Sequence, residues 1–389
     1  MELNLGDTDA CGPTAAQIDK FGTRYTKRLT ECASLDERVG QLAITHPLVF
    51  FALATKYGPL KARREAVRCA VEGSPLRVIC EIIGLPYCLR RIPPEACRAR
   101  LPHVRWSPEA GRALTCLVPE NAEIASAWLP RVHLAHQYAG EEFAIWLASH
   151  HRLFALRRPI SKSAILVLAL YAWNSRHAPL PFGRCTVKPW SPEISIEKAA
   201  SRAAAWAQQV RVVCDLGPEG LESPWLPGDD IGEYRIAPIL LPEQLVEEAA
   251  AMQNCVASYS YSLAQGECRL YSMTHLGTHV ATIEIRFLRS RSGYQIVQMK
   301  GPLNAGCPQE VLRLSSLWLR RHSHAPPPDL NDVRPSREQR LRALMAPYLA
   351  HNNECGPPID QITLKTLFAG TGEIARLAGR GSISRRLLR

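Results

Sequence analysis

The sequence of 389 residues has no hydrophobic run long enough to cross a membrane. Its longest apolar runs, Pro47–Ala54 and Ala164–Trp173, are far shorter than the ~20 residues of a membrane span. Both runs are typical of buried core helices. The N-terminal stretch from Met1 to Asp7 is acidic and lacks the apolar segment of a secretion signal. We therefore expect a cytoplasmic protein without a membrane partner.

The sequence also lacks the spacings of a metal site. No Cys-x-x-Cys pair occurs among its 13 cysteines, so we interpret them as thiols of a reducing compartment. His133 with His136, and His275 with His279, have no cysteine or glutamate partner at ligand spacing. These spacings predict no structural zinc site, and no cofactor is expected.

Acidic residues are too few to balance the basic ones. The chain has 36 Asp and Glu against 47 Lys and Arg, a formal net charge of +11. This excess favours an anionic partner, with nucleic acid ahead of an acidic protein or a membrane surface. With 46% hydrophobic residues the chain can bury real cores, and its length allows two or three domains.

The pattern along the chain predicts an α+β protein. Residues 1–216 read as an irregular helical domain with no repeat of fixed period, and the loop-rich residues 217–235 read as a linker. Residues 236–322 read as a helix, a three-stranded antiparallel sheet and a second helix. A proline-rich linker is predicted at 323–335 and a basic helical tail at 336–389.

Basic residues are dense in two places. Between Lys56 and Arg105 there are 11 Lys and Arg against four Glu, and such a run can track a phosphate backbone. The alternative is a solvated helix face, and for the C-terminal end it is a disordered tail. The candidate nucleic-acid-binding residues are Lys61, Arg63, Arg64, Arg68, Arg90, Arg91, Arg380, Arg385, Arg386 and Arg389.

The stretch from Pro238 to Trp318 carries most of the candidate functional residues. Its first helix begins at Pro242 and is predicted to run to Gly266, with one apolar face. That face comprises Leu245, Ala249, Met252, Val256, Tyr259 and Leu263. The closing helix, Gln309–Arg321, turns Val311, Leu314 and Trp318 inward.

The strands are predicted at Arg269–Met273, Thr278–Leu288 and Tyr294–Lys300. If the last two close as a hairpin with Leu288 opposite Tyr294, then Arg286 faces Ile296, Glu284 faces Gln298 and Thr282 faces Lys300. Glu284, Gln298 and Lys300 then share one polar face. The opposite face packs Ile283, Ile285, Val297 and Met299 against the helices.

Cys255 lies beside the apolar stripe of the first helix. A cysteine in such a place is more often a small core residue than a nucleophile. A nucleophilic thiol needs a base and a lowered pKa, and no histidine is tied to Cys255 by the sequence. Both interpretations stay open.

Several motifs of this stretch resemble the PcfJ-like family of conjugative plasmids, integrated mobile elements and phages. They are Met252-x-x-Cys255-Val256-x-x-Tyr259, Gly266, Ser272, the strand Ala281–Ile285, and Gln298-x-x-Gly301-x-x-Asn304. The resemblance covers about residues 236–322. It implies a mobile-genetic-element setting, with other proteins of the element as partners, and marks Cys255, Tyr259, Ser272 and Asn304 as functional candidates. It implies no reaction.

The order of helix, three antiparallel strands and helix is also similar to the front of the restriction-endonuclease-like core. Glu284 and the triplet Gln298-Met299-Lys300 look like its acid and its D/E/Q-x-Lys motif. The resemblance implies Mg²⁺ or Mn²⁺ held by Glu284 and Gln298, with Lys300 stabilising the phosphate. Glu stands where Asp is usual, and an amide stands where a carboxylate would bind the metal better.

The leading hypothesis is a PcfJ-like protein that binds nucleic acid, or a nucleoprotein, through its basic surfaces. The alternatives are a metal-dependent nuclease using Glu284, Gln298 and Lys300, and a protein-interaction scaffold. The sequence does not decide whether the protein is an enzyme or what its oligomeric state is.

Overall fold

The chain forms two compact units. The structure, a computed structural model, describes residues 13, 15–155, 158–288, 293–322, 324–327, 336–355 and 362–379. Unit 1 comprises residues 1–173, 191–196 and 349–360, and unit 2 comprises residues 174–190, 197–348 and 361–389. Within the described ranges, no helix has both the length and the apolar character that a membrane crossing requires.

Unit 1 is helical in its described part. Its helix Pro47–Ala54 (α4) is apolar on every side, and all eight of its residues are buried, as a helix without a polar face must be. Residues Ala164–Ala172, in the helix Lys162–His177, are buried as well, so both predicted core helices are confirmed. The helices are α1 (Ala15–Asp19), α2 (Thr26–Ala33), α3 (Glu37–Thr45), α4 (Pro47–Ala54), α5 (Leu60–Val71), α6 (Leu76–Ile83), α7 (Pro108–Leu114), α8 (Ala122–Ser149) and α9 (Lys162–His177), whose last turn belongs to unit 2.

Unit 2 combines helices with one sheet, so the α+β class is confirmed. Its helices are α10 (Ile196–Leu216), whose first residue belongs to unit 1, α11 (Pro242–Met252), α12 (Ser260–Ala264), α13 (Gln309–Arg321), α14 (Arg337–Cys355), which belongs to unit 1 from residue 349 onward, α15 (Leu364–Ala369) and α16 (Thr371–Leu377). Its strands are β1 (Asp229–Ile231), β2 (Tyr234–Pro238), β3 (Arg269–His275), β4 (Thr278–Leu288) and β5 (Gly293–Lys300).

The sheet has five strands, and the prediction of three strands is wrong. All neighbouring pairs are antiparallel and the order is β1-β2-β3-β4-β5. The two missed strands are short and joined by a tight turn at Gly232, whose φ of 63° suits glycine. They form the sheet's first hairpin and lie partly in the stretch read as a linker.

One face of the sheet packs on α13. Tyr271, Met273, Ile283 and Ile285 form a single core there with three residues of the helix. Val311, Leu314 and Trp318 of α13 are all buried, which confirms the predicted inward face. Tyr271 and Trp318 also anchor the loop before β1, because the Tyr271 hydroxyl donates to Leu226 O (3.0 Å) and the Trp318 indole N–H donates to Pro227 O (3.1 Å).

The first helix of the predicted module ends early. α11 ends at Met252, because Gln253 has a left-handed backbone with φ 47°. A 3₁₀ turn over Val256–Tyr259 and the short α12 follow. The prediction of a continuous helix to Gly266 is therefore wrong, although the apolar spacing continues across the break.

The β4–β5 hairpin contains a bulge. Glu284 pairs with Gln298 and Thr282 with Lys300, as predicted, but Ile285 pairs with Ile296. Val297 is the extra residue at this point, and it is 47% exposed rather than packed inward. Beyond the bulge the predicted register fails, since Leu288 pairs with Gly293 and not with Tyr294.

Within unit 2, α14 packs on the end of α10 around a buried carboxylate. Asp215, near the end of α10, is 1% exposed and lies 2.5 Å from Arg337 Nε of α14 in ion-pair contact. Its second oxygen accepts a hydrogen bond from the Ser260 hydroxyl (2.6 Å). Arg340 donates to the carbonyls of Cys214 (2.7 Å) and Asp215 (2.8 Å) at the negative end of α10.

Candidate functional site

The break in the first helix of the sheet module creates one wall of a cleft. Because Gln253 turns the chain, Asn254 and Cys255 leave the helical path and line the cleft beside Tyr259. The Asn254 side chain accepts a hydrogen bond from Val256 N (3.1 Å), which holds the turn. Cys255 is exposed, and it does not occupy the small core position considered for it.

The cleft lies over the polar face of β4 and β5 and is small, with a volume of about 40 Å³. Glu284, Gln298 and Lys300 all line it, so the three residues predicted to share a face do so. The lining residues are Asn254, Cys255, Val256, Tyr259, Leu270, Thr282, Glu284, Gln298, Lys300 and Asn304. Thr282 and Asn254 were not among the predicted site residues.

Glu284 is the one carboxylate among the lining residues. It is 4% exposed, and Arg286 Nε donates to its Oε1 (2.8 Å). A buried carboxylate is expensive unless it is paired, and Arg286 supplies that pairing from the same strand. The polar face therefore does not face open water at this point, because α11 and the 3₁₀ turn cover it.

Tyr259 connects the turn to β5. Its hydroxyl donates to Gln298 Oε1 (3.1 Å), which leaves the amide nitrogen of Gln298 to donate elsewhere. Burial and then the negative charge of Glu284 raise the pKa of Tyr259 to about 12. Tyr259 is therefore a neutral phenol and a hydrogen-bond donor at physiological pH.

The loop after β5 supplies the last lining residue. Leu303 and Asn304 both have left-handed backbones, with φ values of 57° and 62°. Gly301 N donates to Ala305 O (2.9 Å) and closes the loop. Asn304 thereby reaches the cleft, and Leu303 is left 69% exposed.

Ser272 takes part in a network that adjoins the cleft at Thr282, the strand partner of Ser272. Its hydroxyl lies 3.0 Å from His279 Nδ1, and Glu248 Oε2 lies 2.7 Å from that same nitrogen. A catalytic serine and its acid contact opposite nitrogens of the histidine, so this is not a nucleophile relay. Thr282 also donates to Glu248 (2.5 Å), and the network ties α11 to the sheet.

The donor set of the cleft does not fit a divalent cation. Mg²⁺ and Mn²⁺ prefer several oxygen ligands with negative charge, and here Glu284 is the single carboxylate and is already paired with Arg286. Gln298 Oε1 is engaged by Tyr259. Nowhere in the described part of the chain do three or more His, Cys, Asp or Glu side chains gather as a metal site.

The basic residues predicted on and after α5 are on the surface of unit 1, but many have partners. Arg68 forms ion pairs with Glu65 and Glu72 (3.0 Å to the latter). Arg63 donates to Gly58 O (3.3 Å), and the Arg90 guanidinium lies over the Tyr87 ring. Lys61, Arg64 and Arg91 are exposed. Arg380, Arg385, Arg386 and Arg389 lie outside the described residues.

A second cleft in unit 1 is lined almost wholly by basic side chains. Its volume is about 490 Å³, and its lining residues are Arg24, Tyr25, Lys27, Arg28 and Arg100. We call it the basic cleft. Arg24, Lys27, Arg28 and Arg100 are exposed, and the Tyr25 ring packs edge-on against Phe51 at 5.3 Å.

The basic cleft was missed by the sequence analysis. The spacing of Arg24, Lys27 and Arg28 at i, i+3 and i+4 places them on one side of a helical turn, which is a usable signal. Arg100 joins them only in three dimensions, and its guanidinium donates to Lys56 O (3.4 Å).

These observations describe an α+β protein of two units, each with a candidate binding cleft. The chain combines a helical unit bearing a basic cleft with a unit in which a five-stranded antiparallel sheet carries a polar cleft on one face and α13 on the other.

Comparison with known families then identifies the sheet module. Residues 229–311 match the model of the family described as PcfJ-like protein, so this stretch of unit 2 is a PcfJ-like region and the resemblance is confirmed there. No curated protein and no solved structure matches the chain significantly.

Proposed function

We propose that the protein binds nucleic acid through the basic cleft of unit 1. The observation that carries this proposal is that four cationic side chains and one tyrosine line the cleft while no carboxylate does. Phosphodiesters are attracted to such a surface whatever their sequence, and release of their counterions drives the binding.

The composition of the basic cleft distinguishes it from other basic positions of unit 1. Arg68, Arg77 and Arg112 each lie beside glutamates that offset their charge. The cations of the basic cleft have no acidic neighbour in its lining, so their potential adds up. Tyr25 supplies an aromatic surface of the kind on which bases stack in single-strand binders.

The PcfJ-like region, residues 229–311, supports our proposal for the biological setting of this binding. The proposal places the protein in the cytoplasm as part of a mobile genetic element, with conjugation as one context and proteins of the same element as further partners. Unit 1 would hold the nucleic acid non-specifically, and the predicted residues Lys61, Arg64 and Arg91 would extend the contact with phosphates.

The test compares two double variants of equal charge. Lys27→Ala with Arg28→Ala removes two cations of the basic cleft, and Arg77→Ala with Arg112→Ala removes two exposed arginines that are ion-paired with Glu81 and Glu109. Affinity for labelled single- and double-stranded DNA and RNA is measured from ~50 to ~200 mM salt.

The cleft variant is expected to bind at least about tenfold more weakly and to reduce the salt slope by about two, while the control stays near wild type. Equal losses in both variants would mean that only total charge matters. No binding by the wild type would refute the proposal and favour the protein-interaction scaffold.

A nuclease activity is the second candidate, and one observation favours it. Glu284 and Lys300 line the same cleft, and Gln298 pairs directly with Glu284. The donor set fits a divalent cation poorly, so we derive no hydrolytic step. The same binding reactions, run with Mn²⁺ or with EDTA beside Glu284→Gln, detect cleavage if it occurs.

A further inference from the structure

The four cations of the basic cleft converge on one place and do not follow a path over the surface. Arg24, Lys27 and Arg28 lie on one side of a helical turn, and Arg100 comes to the same cleft from a distant part of the chain. The volume of about 490 Å³ is within the ~300–1,000 Å³ of pockets that take compact ligands. A compact group with several negative charges therefore suits the cleft better than an extended row of single charges.

The positive charge of the cleft is not offset within the described protein. None of its four cations forms an ion pair with a residue that the structure describes. Lys27 and Arg28 lie in the first turn of α2, and that turn has no acidic residue. Cations are unfavourable at this positive end of a helix. An anion bound in the cleft would relieve both repulsions.

Two of the guanidinium groups are held in place by the protein. Arg100 donates to Lys56 O (3.4 Å), and Lys56 has a left-handed φ of 61°, a conformation that persists only where the surrounding structure enforces it. The Arg24 guanidinium lies 5.5 Å from the centroid of the Tyr25 ring, and that ring packs edge-on against Phe51. Part of the cleft is therefore organised before a ligand binds.

Arginine-rich linings suit phosphate groups. A guanidinium donates two parallel hydrogen bonds to phosphate oxygens, so three arginines can engage several oxygens of one phosphate. A phosphodiester inside a strand carries one negative charge, whereas a terminal phosphate carries about two at pH 7 and exposes one more oxygen. The terminal phosphate therefore matches four converging cations better than a phosphodiester does.

We infer that the basic cleft holds the terminal phosphate of a nucleic-acid strand. The guanidinium groups of Arg24, Arg28 and Arg100 and the ammonium group of Lys27 surround this phosphate. The inference deepens the proposed function and rests on it, because the bound strand supplies the phosphate. It adds selectivity for phosphorylated strand ends to binding that is otherwise independent of sequence.

The test uses the whole chain and single-stranded oligonucleotides of one sequence, labelled at an internal position. They carry a 5′-phosphate, a 3′-phosphate or hydroxyl groups at both ends. A fourth strand has hydroxyl ends and two extra nucleotides, so its total charge is about that of the phosphorylated strands. Affinities are measured at ~150 mM salt for the wild type, for Lys27→Ala with Arg28→Ala, and for the control Arg77→Ala with Arg112→Ala.

The wild type and the control are expected to bind at least one phosphorylated strand about fivefold or more tightly than the longer strand with hydroxyl ends. The cleft variant should bind all four strands with nearly equal affinity. Equal affinity of the wild type for all four strands, or a preference that survives in the cleft variant, would overturn the inference. Adenosine 5′-monophosphate is added as a competitor, and equal affinity for it and for the phosphorylated strand would show a free-nucleotide site instead.

Failure of this inference is distinguishable from failure of the proposed function. If the wild type binds all strands equally and the cleft variant binds all of them more weakly, the cleft contacts the phosphate backbone. The proposed function then stands, and the inference about strand ends is wrong. If the wild type binds no strand, the proposed function fails and the inference fails with it.

Discussion

Replacement of Arg337 by alanine is expected to destabilise unit 2, because it removes the cation beside a buried carboxylate. Asp215 is 1% exposed, and Arg337 Nε lies 2.5 Å from it. Breaking a buried ion pair from one side costs about 3–5 kcal/mol. The Arg337 side chain is 36% exposed and the Ser260 hydroxyl still donates to Asp215, so we expect the lower end, about 3 kcal/mol.

The stability lost in the Arg337→Ala variant should increase as the pH rises. Burial raises the pKa of Asp215 above its usual value, against the lowering effects of Ser260, Arg337 and Arg211, the last of which remains in the variant. Without Arg337 that pKa rises further. A carboxyl whose pKa is higher in the folded than in the unfolded protein does not destabilise the fold when the pH is below its unfolded pKa. It destabilises the fold as the pH rises through its folded pKa. The variant should therefore lose little stability near pH 4 and the full amount at pH 7.

The measurement is urea unfolding at both pH values, with hydrogen exchange of α14 to separate unit 2 from unit 1. Arg342→Ala is the control, because Arg342 is an exposed residue of the same helix. Asp215→Asn combined with Arg337→Leu should recover most of the stability, since it removes both charges. A loss below about 1 kcal/mol at pH 7, or the same loss at pH 4, would refute the reasoning.

Two further predictions concern single buried groups. Burial lowers the pKa of His133 to about 3, so its contribution to unit 1 is present above pH ~6.5 and is lost as pH falls toward 3, at up to ~1.4 kcal/mol per pH unit. His133→Asn should flatten this acid loss in urea unfolding, and an unchanged slope would contradict the prediction. Tyr271→Phe should cost about 1–3 kcal/mol, because its buried hydroxyl donates to Leu226 O and accepts from Leu226 N (2.8 Å). Tyr294→Phe, whose more exposed hydroxyl bonds to Pro326 O (2.6 Å), should cost less than about 0.5 kcal/mol, and equal costs would show that the paired backbone groups do not matter.

Local patterns were sufficient to predict the long elements. The alternation along Thr278–Leu288 predicts β4 with its observed bounds, and the apolar spacing of Gln309–Arg321 does the same for α13. β1 has three residues, two of them aspartates, so it shows no alternation of polar and apolar residues that could predict a strand. The shared face of Glu284 and Lys300 followed from parity alone.

Features that depend on packing could not be predicted. The break at Gln253 involves no glycine or proline, and Met252, Val256 and Tyr259 keep helical spacing across it. The bulge at Val297 leaves no mark in the sequence. The burial of Glu284 requires the turn above it, and the basic cleft requires Arg100 to come back to α2, so both arise only from the tertiary structure.

The core beneath the sheet extends past both ends of the stretch that matches the family. Leu226 precedes residue 229, and Leu314 and Trp318 follow residue 311, yet all three are buried in the same cluster as Ile283 and Ile285. A fragment trimmed to the matched residues would lose the indole and two leucines from one side of its sheet. Expression of the sheet module on its own therefore requires at least the residues from Leu226 to Arg321. This stretch is longer than residues 229–311, which match the family model.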